Sequence, residues 1–214
     1  NYIFKLKLNF VYIVINTLYK MAESIIKTDK SELILHTLNE NVLKLIQICV
    51  NDVKDKLIHH PEIIVYGKKC YQRRSVGFFS NESIGYYYSK KLISSKKLSS
   101  SLLQLLNYIN SSFSCKFNGI LVNYYIDGNE YIGKHSDDEK NLGAEGVIAI
   151  SYGAIRKFRI RDKNTNKIVK DVLTDPTKII QMCGDFQQEF THEIPVEKKV
   201  KEPRYSFTFR KHLE

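Results

Sequence analysis

Cysteine is scarce in this chain. Only four of 214 residues are cysteine, and no two of them form a C-x-x-C pair. The scattering of Cys49, Cys70, Cys115 and Cys183 indicates neither a zinc knuckle nor a disulfide framework. They read as reduced thiols of an intracellular protein, mostly packing residues. Long apolar runs are also lacking. The stretch Phe10 to Ile15 is too short to span a bilayer, and no small-residue cleavage site follows it. A membrane partner is therefore not expected. There is no internal repeat and no low-complexity tail. Acidic residues are in deficit: 23 Asp and Glu face 33 Lys and Arg, a formal net charge of +10. Such an excess favours a polyanionic partner, nucleic acid before anionic membrane. The plainer reading is a lysine-rich surface that keeps the protein soluble. A basic surface fits nucleus and cytoplasm alike.

What is present is an ordinary globular composition, with 43% hydrophobic and 26% charged residues. The length fits one domain with a real core. Residues 1–20 are apolar and basic, begin with Asn1 and precede Met21. They are expected to be a translated upstream extension, with Met21 as the natural start; a genuine N-terminal strand is the alternative. Ser31 to Leu57 carries apolar residues at three- and four-residue spacing, which predicts helix, one long or two short. Residues 21–61 thus read as an N-terminal helical segment. Glu62 to Ser89 interleaves aromatic and basic residues around Gly67, Gly77 and Gly85, which predicts short strands and turns. That mixture suits nucleic acid, because cations hold phosphates and rings stack on bases. It equally suits a half-buried sheet with tyrosines at its rim. Ser94 to Asn110 predicts a second helix, weakened by Ser99 to Ser101. From Lys116 onward the pattern is mostly β. Strands are expected at Gly119 to Tyr125, Gly146 to Tyr152, Arg156 to Arg161, Lys167 to Leu173, Lys178 to Met182, Phe186 to Phe190 and Arg204 to Lys211. Many short antiparallel strands point to a sandwich, barrel or jelly roll.

Three residues suggest redox chemistry when taken together. His135 and Asp137 stand two apart, so in an extended chain both face one way and Ser136 faces the other. His192 lies far downstream. Two His and one carboxylate form the facial triad of non-haem Fe(II) oxygenases, which leaves coordination positions open. Taken singly, H-x-D arises often by chance, and a lone His is usually structural. Arg204 and Arg210 share one face of a strand with Ser206 and Thr208, while Tyr205, Phe207 and Phe209 share the other. Burying arginines is costly unless an anion meets them. A dicarboxylate such as 2-oxoglutarate supplies one.

At these residues the chain resembles the AlkB family of Fe(II)/2-oxoglutarate dioxygenases, most closely its eukaryotic branch that repairs duplex DNA. The matching segments are Asn123-Tyr124-Tyr125-Ile126-Asp127-Gly128, Ile132-Gly133-Lys134-His135-Ser136-Asp137-Asp138-Glu139, Ile148 to Ala154, Thr191-His192-Glu193-Ile194-Pro195 and Pro203 to Lys211. The likeness is strong over residues 116–214 and weaker over most of the rest. It implies an α+β fold: a double-stranded β-helix (jelly roll) core at 116–214, N-terminal helices, and a nucleotide-recognition lid with its supporting helix at 62–115. It implies Fe(II) held by His135, Asp137 and His192. It further implies 2-oxoglutarate held by Asn123, Tyr125, Arg204, Thr208 and Arg210, with O2 as the other co-substrate. Asp138 and Glu139 match acidic residues on the substrate side, Asp138 being the better placed for the exocyclic amine of a cationic alkylated base. Tyr86 and Tyr88 match aromatic positions of the lid, where Tyr88 would stack an extruded base against His135. Val65-Tyr66-Gly67 matches a finger that fills the gap left by that base.

There are departures. Ser206 stands where the family commonly has Asn, and Tyr88 where this branch usually has Phe. Residues 21–60, Thr174 to Gln181 and Cys183 to Glu189 diverge. The implied activity is oxidative demethylation of bases such as 1-methyladenine and 3-methylcytosine, in DNA first and RNA second, by a monomer. The rivals are a non-catalytic nucleic-acid-binding module on the same fold and a hydroxylase of protein or small molecules. The second rival gains if Tyr66 and Tyr88 lie far from His135.

Overall fold

The computed structural model describes residues 22–88, 91–138 and 146–212. The expected extension at 1–20 and the candidate Glu139 lie outside them. Two β-sheets face one another, and two helices cover the outer side of the larger. The large sheet has the order β1-β2-β13-β10-β15-β8-β5-β7-β6. Its strands are β1 (Ala22–Lys27), β2 (Ser31–Thr37), β5 (Ser75–Ser80), β6 (Gly85–Tyr88), β7 (Lys91–Lys96), β8 (Gly119–Tyr125), β10 (Val147–Gly153), β13 (Lys178–Gly184) and β15 (Arg204–Arg210). The small sheet has the order β12-β11-β14-β9, from β9 (Ile132–His135), β11 (Lys157–Asp162), β12 (Ile168–Leu173) and β14 (Phe190–Ile194). A separate hairpin joins β3 (Glu62–Val65) to β4 (Lys68–Tyr71).

Side chains alternate across the large sheet, and that alternation sorts core from site. Ile120 and Val122 of β8, Ile148 and Ile150 of β10, and Phe207 and Phe209 of β15 turn outward. There they pack on helix α1 (Glu40–Val53) through Val42, Ile46, Cys49 and Val53, and on helix α2 (Ser100–Phe113) through Leu102, Leu105, Leu106 and Ile109. The other face turns inward. Leu33, Tyr125, Val147, Ile180 and Met182 meet Ile132, Phe158, Ile160, Val172, Phe190 and Ile194 of the small sheet. This is the double-stranded β-helix expected from the sequence.

Several elements differ from expectation. Helix does not run from Ser31; residues 31–37 form β2, which pairs with β1 on one side and β13 on the other. Leu33 and Leu35, two apart, both reach the inter-sheet core, whereas the helical reading rests on Leu33, Ile34 and Leu38. Helix begins only after Asn39, whose side chain accepts the Asn41 N–H as an N-cap. So residues 21–61 hold a hairpin and one long helix among the described residues, not a purely helical segment. The second helix starts at Ser100 rather than Ser94, because Lys91–Lys96 is strand β7. Its serines do not weaken it throughout: Ser99 accepts the Leu102 N–H and caps it. The strand expected at Phe186 to Phe190 is a single helical turn, α3 (Phe186–Glu189), followed by β14. Phe186 and Phe190 both enter the core from that turn, so paired apolar ends mimicked a strand. Strand β9 has no counterpart among the expected strands.

A buried arginine fixes the base of the small sheet. The Arg156 guanidinium donates to the carbonyls of Asp127, Glu130 and Pro195 at 3.0, 2.9 and 2.7 Å and to Glu197 at 3.2 Å. It ties the connection into β9 to the segment leaving β14. Those are the strands that carry His135 and His192.

Candidate metal and anion site

Register brings the three predicted ligands together. His192 of β14 lies directly opposite His135 of β9. Asp137 follows two residues beyond His135 on the same side, as extended geometry requires. One ligand atom from each of the three lies within 4.8 Å of the others. His135 Nε2 is 3.6 Å and His192 Nε2 3.8 Å from the Asp137 carboxylate. His135 Nδ1 sits 3.0 Å from the Gly133 carbonyl, a bond that leaves Nε2 as the unprotonated nitrogen.

The charge states suit a cation. Burial opposes ionisation of Asp137, but Arg210 and then His192 and His135 outweigh it, and its pKa lies below the usual carboxylate value. Burial pushes His192 down to about 3 and lowers His135 despite the neighbouring Asp137. At neutral pH the site offers one carboxylate and two neutral imidazoles. That donor set fits a divalent iron with positions left open.

Beside the triad the cavity wall is cationic. It comprises about 560 Å³ of empty space, its open mouth included. Asn123 and Tyr125 of β8 and Arg204, Ser206, Thr208 and Arg210 of β15 all line it. The β8–β15 pairing sets Arg204 against Tyr125 and Ser206 against Asn123, so all five residues expected to hold 2-oxoglutarate converge here. Arg204 is 3% exposed, and burial lowers its pKa to about 10, so it stays charged at neutral pH. It donates to Ser151 Oγ at 2.8 Å and Thr174 Oγ1 at 3.2 Å, yet its buried Nη1 has no hydrogen-bond partner. A buried cationic donor left unpaired is a place for an anion. Arg210 donates to Asp137 Oδ1 at 2.6 Å, joining the anion wall to the metal ligands.

Three further residues were not singled out as site residues from the sequence. Arg74 is buried in the cavity wall, donates to Asn123 Oδ1 at 2.7 Å and lies 5.3 Å from the Tyr88 ring. Its dipeptide with Arg73 was visible, but nothing in the sequence separates the exposed arginine from the buried one. Ser151 and Gln187 complete the set. Only their contacts reveal them: Ser151 accepts from Arg204, and Gln187 Oε1 accepts the Asp137 N–H at 2.8 Å.

The expected substrate residues divide. Tyr86 lines the cavity, and Tyr88 meets His135 edge-on with ring centroids 6.4 Å apart. Tyr66 stands fully exposed at the tip of the β3–β4 hairpin, with φ of 48°. Asp138 is exposed and engaged by Lys163 Nζ at 3.0 Å.

A family model described as the 2OG-Fe(II) oxygenase superfamily matches residues 37–210. Among curated proteins, DNA oxidative demethylase ALKBH2 of Homo sapiens is 30% identical over 158 residues, covering 70% of this chain and 60% of that protein. Alpha-ketoglutarate-dependent dioxygenase alkB homolog 3 of Bos taurus is 34% identical over 118 residues, covering 51% of this chain and 41% of that protein. The chain thus spans 60% or less of these two relatives. A solved structure, described as that of OsALKBH1, superposes with a TM-score of 0.58 at 15% identity, over 89% of this chain and 100% of that one. That likeness concerns the fold alone.

Proposed function

The chain belongs to the 2OG-Fe(II) oxygenase superfamily, and from that premise we propose that it oxidatively demethylates N-alkylated bases in DNA. The observation that carries the reading is the His135–Asp137–His192 cluster beside the unpaired Arg204 nitrogen, with Tyr86 and Tyr88 around the same cavity. With 2-oxoglutarate and O2, a bound Fe(II) would supply hydroxylation of the N-methyl carbon, 2-oxoglutarate ending as succinate and CO2 and the base releasing formaldehyde.

The chain's residues do the rest. His135, Asp137 and His192 would hold the metal through ligand atoms that lie within 4.8 Å of one another. Arg204, through its unpaired Nη1, would receive a carboxylate of 2-oxoglutarate, with Thr208, Asn123 and Tyr125 lining the same cavity. Arg210 keeps Asp137 ionised as a ligand. Tyr88, edge-on to His135, bounds the slot for an extruded base, which keeps water from the reacting carbon. Asp138 is taken up by Lys163, so contact with an exocyclic amine requires that ion pair to open. The names of the relatives, DNA oxidative demethylase among them, support DNA as the substrate.

The test uses an oligonucleotide bearing one 1-methyladenine, single- and double-stranded, with Fe(II), ascorbate and 2-oxoglutarate. Formaldehyde release and loss of one methyl mass are expected, and Asp137→Ala is expected to lower turnover by at least about a hundredfold. Undiminished formaldehyde release by Asp137→Ala would remove the triad assignment. Succinate formation without base demethylation would redirect the enzyme to another substrate.

A further inference from the structure

Strand β9 ends at His135, so Asp137 sits on backbone that no strand ladder holds. Arg210 holds its carboxylate, and three contacts hold the backbone segment around it. Ser136 Oγ donates to the Phe190 carbonyl at 2.9 Å. The Asp137 N–H donates to Gln187 Oε1 at 2.8 Å. Lys163 Nζ bridges Asp138 Oδ2 at 3.0 Å and the Gln187 carbonyl at 3.1 Å. All three end on α3 or the residue after it.

A single helical turn is not stable alone, so α3 needs its own support. Phe186 anchors it in the inter-sheet core. The turn between β1 and β2 grips both of its ends. The Asp185 N–H donates to the Lys30 carbonyl at 3.0 Å, and Thr28 Oγ1 donates to Glu189 Oε2 at 2.7 Å. Gly184, at φ of 63°, lets Lys30 approach: a Cβ there would stand 2.0 Å from the Lys30 carbonyl oxygen. The hairpin that supplies these contacts lies almost entirely before residue 37, where the family match begins.

We propose that Gln187 is a positioning residue for the metal ligand Asp137, and that the β1–β2 hairpin holds Gln187 in place. The hairpin is thereby part of the metal site although it contributes no ligand. This rests on the proposed metal site. Gln187 bonds the main-chain N–H of Asp137 and not its carboxylate, so it acts by placing the ligand's backbone; losing a hydrogen-bonded partner behind a metal ligand typically costs ten- to a hundredfold in affinity.

The experiment titrates Mn(II) into the metal-free protein, read by electron paramagnetic resonance, well below each variant's melting temperature. Gln187→Met, which removes the acceptor at similar size, is expected to weaken Mn(II) binding roughly tenfold or more. Gln187→Glu, which keeps an acceptor oxygen, is expected to retain it. Thr28→Val combined with Gly184→Ala, which removes the bond to Glu189 and drives the Lys30 carbonyl from Asp185, is expected to weaken it several-fold. Parent-like affinity in Gln187→Met would overturn the role of Gln187, and parent-like affinity in the folded Thr28→Val, Gly184→Ala double variant the role of the hairpin. A parent protein that binds no Mn(II) would overturn the metal site itself, a result distinct from either.

Discussion

Buried ionisable side chains set the acid behaviour of this molecule one residue at a time. His212 is 8% exposed and packs on Phe78 with ring centroids 4.6 Å apart. Burial, with Arg210 nearby, lowers its pKa from 6.5 to about 4. Between those values the unfolded chain binds a proton that the folded one refuses, so stability rises with pH there and falls on acidification. The loss is complete near the lower value and amounts to something on the order of 3 kcal/mol. His212→Phe keeps an aromatic ring against Phe78 and removes the proton. Urea melts at pH 7.5 and 4.5 are expected to differ less for this variant than for the parent. The slope will not vanish, because His192, pushed down to about 3, contributes with the same sign in metal-free protein. An unchanged difference between the two pH values would show that His212 does not titrate as its burial requires.

Strands, rather than single residues, decide which side chains meet the site. In β15 a shift of one residue would trade Arg204, Ser206, Thr208 and Arg210 for Tyr205, Phe207 and Phe209. The end of β10 helps pin that register. Gly153 pairs with Arg204 at φ of 94°, and a Cβ there would stand 2.3 Å from the Pro203 carbonyl oxygen. Gly153→Ala is therefore expected to cost about 2 kcal/mol in a thermal melt and to weaken 2-oxoglutarate binding by displacing Arg204. A variant that melts and binds as the parent does would show that the strand end yields freely. The two faces of β15 are readable in the sequence because polar and apolar residue types alternate along it, although both faces are buried. Ser31 to Thr37 reads as helix because Leu33, Ile34 and Leu38 fit a helical spacing, while the strand rests on Leu33 and Leu35, two apart. Strand β9 was invisible, since Ile132-Gly133-Lys134-His135 holds only one buried apolar residue. The triad residues were legible as types. Their meeting depends on the register of His192 against His135, and the burial of Arg74 beside exposed Arg73 depends on packing; no local pattern encodes either.

At the scale of the whole molecule the decisive quantity is charge. The chain carries a formal +10, and the proposed substrate is a polyanion. Each phosphate contact releases counterions, so affinity falls as a power of salt concentration, with an exponent of about 0.9 per contact. With about four contacts, raising salt from about 50 to about 200 mM should weaken binding to unmodified duplex roughly a hundredfold. The β3–β4 hairpin separates two contributions to that binding. Lys68 is exposed there, and Tyr66 at the tip is wholly exposed. A lysine on a phosphate contributes through counterion release, so Lys68→Ala is expected to lower the slope of log affinity against log salt by about one. An aromatic ring that inserts beside bases contributes through stacking, which releases no counterion. Tyr66→Ala is therefore expected to weaken binding by a similar factor at every salt concentration and to leave the slope unchanged. Neither side chain supports the core, so both variants should melt with the parent. Fluorescence anisotropy with a labelled duplex over a salt series measures affinity and slope together. Parent-like slope in Lys68→Ala together with parent-like affinity in Tyr66→Ala would take the hairpin out of the nucleic-acid surface and leave the basic charge to other faces.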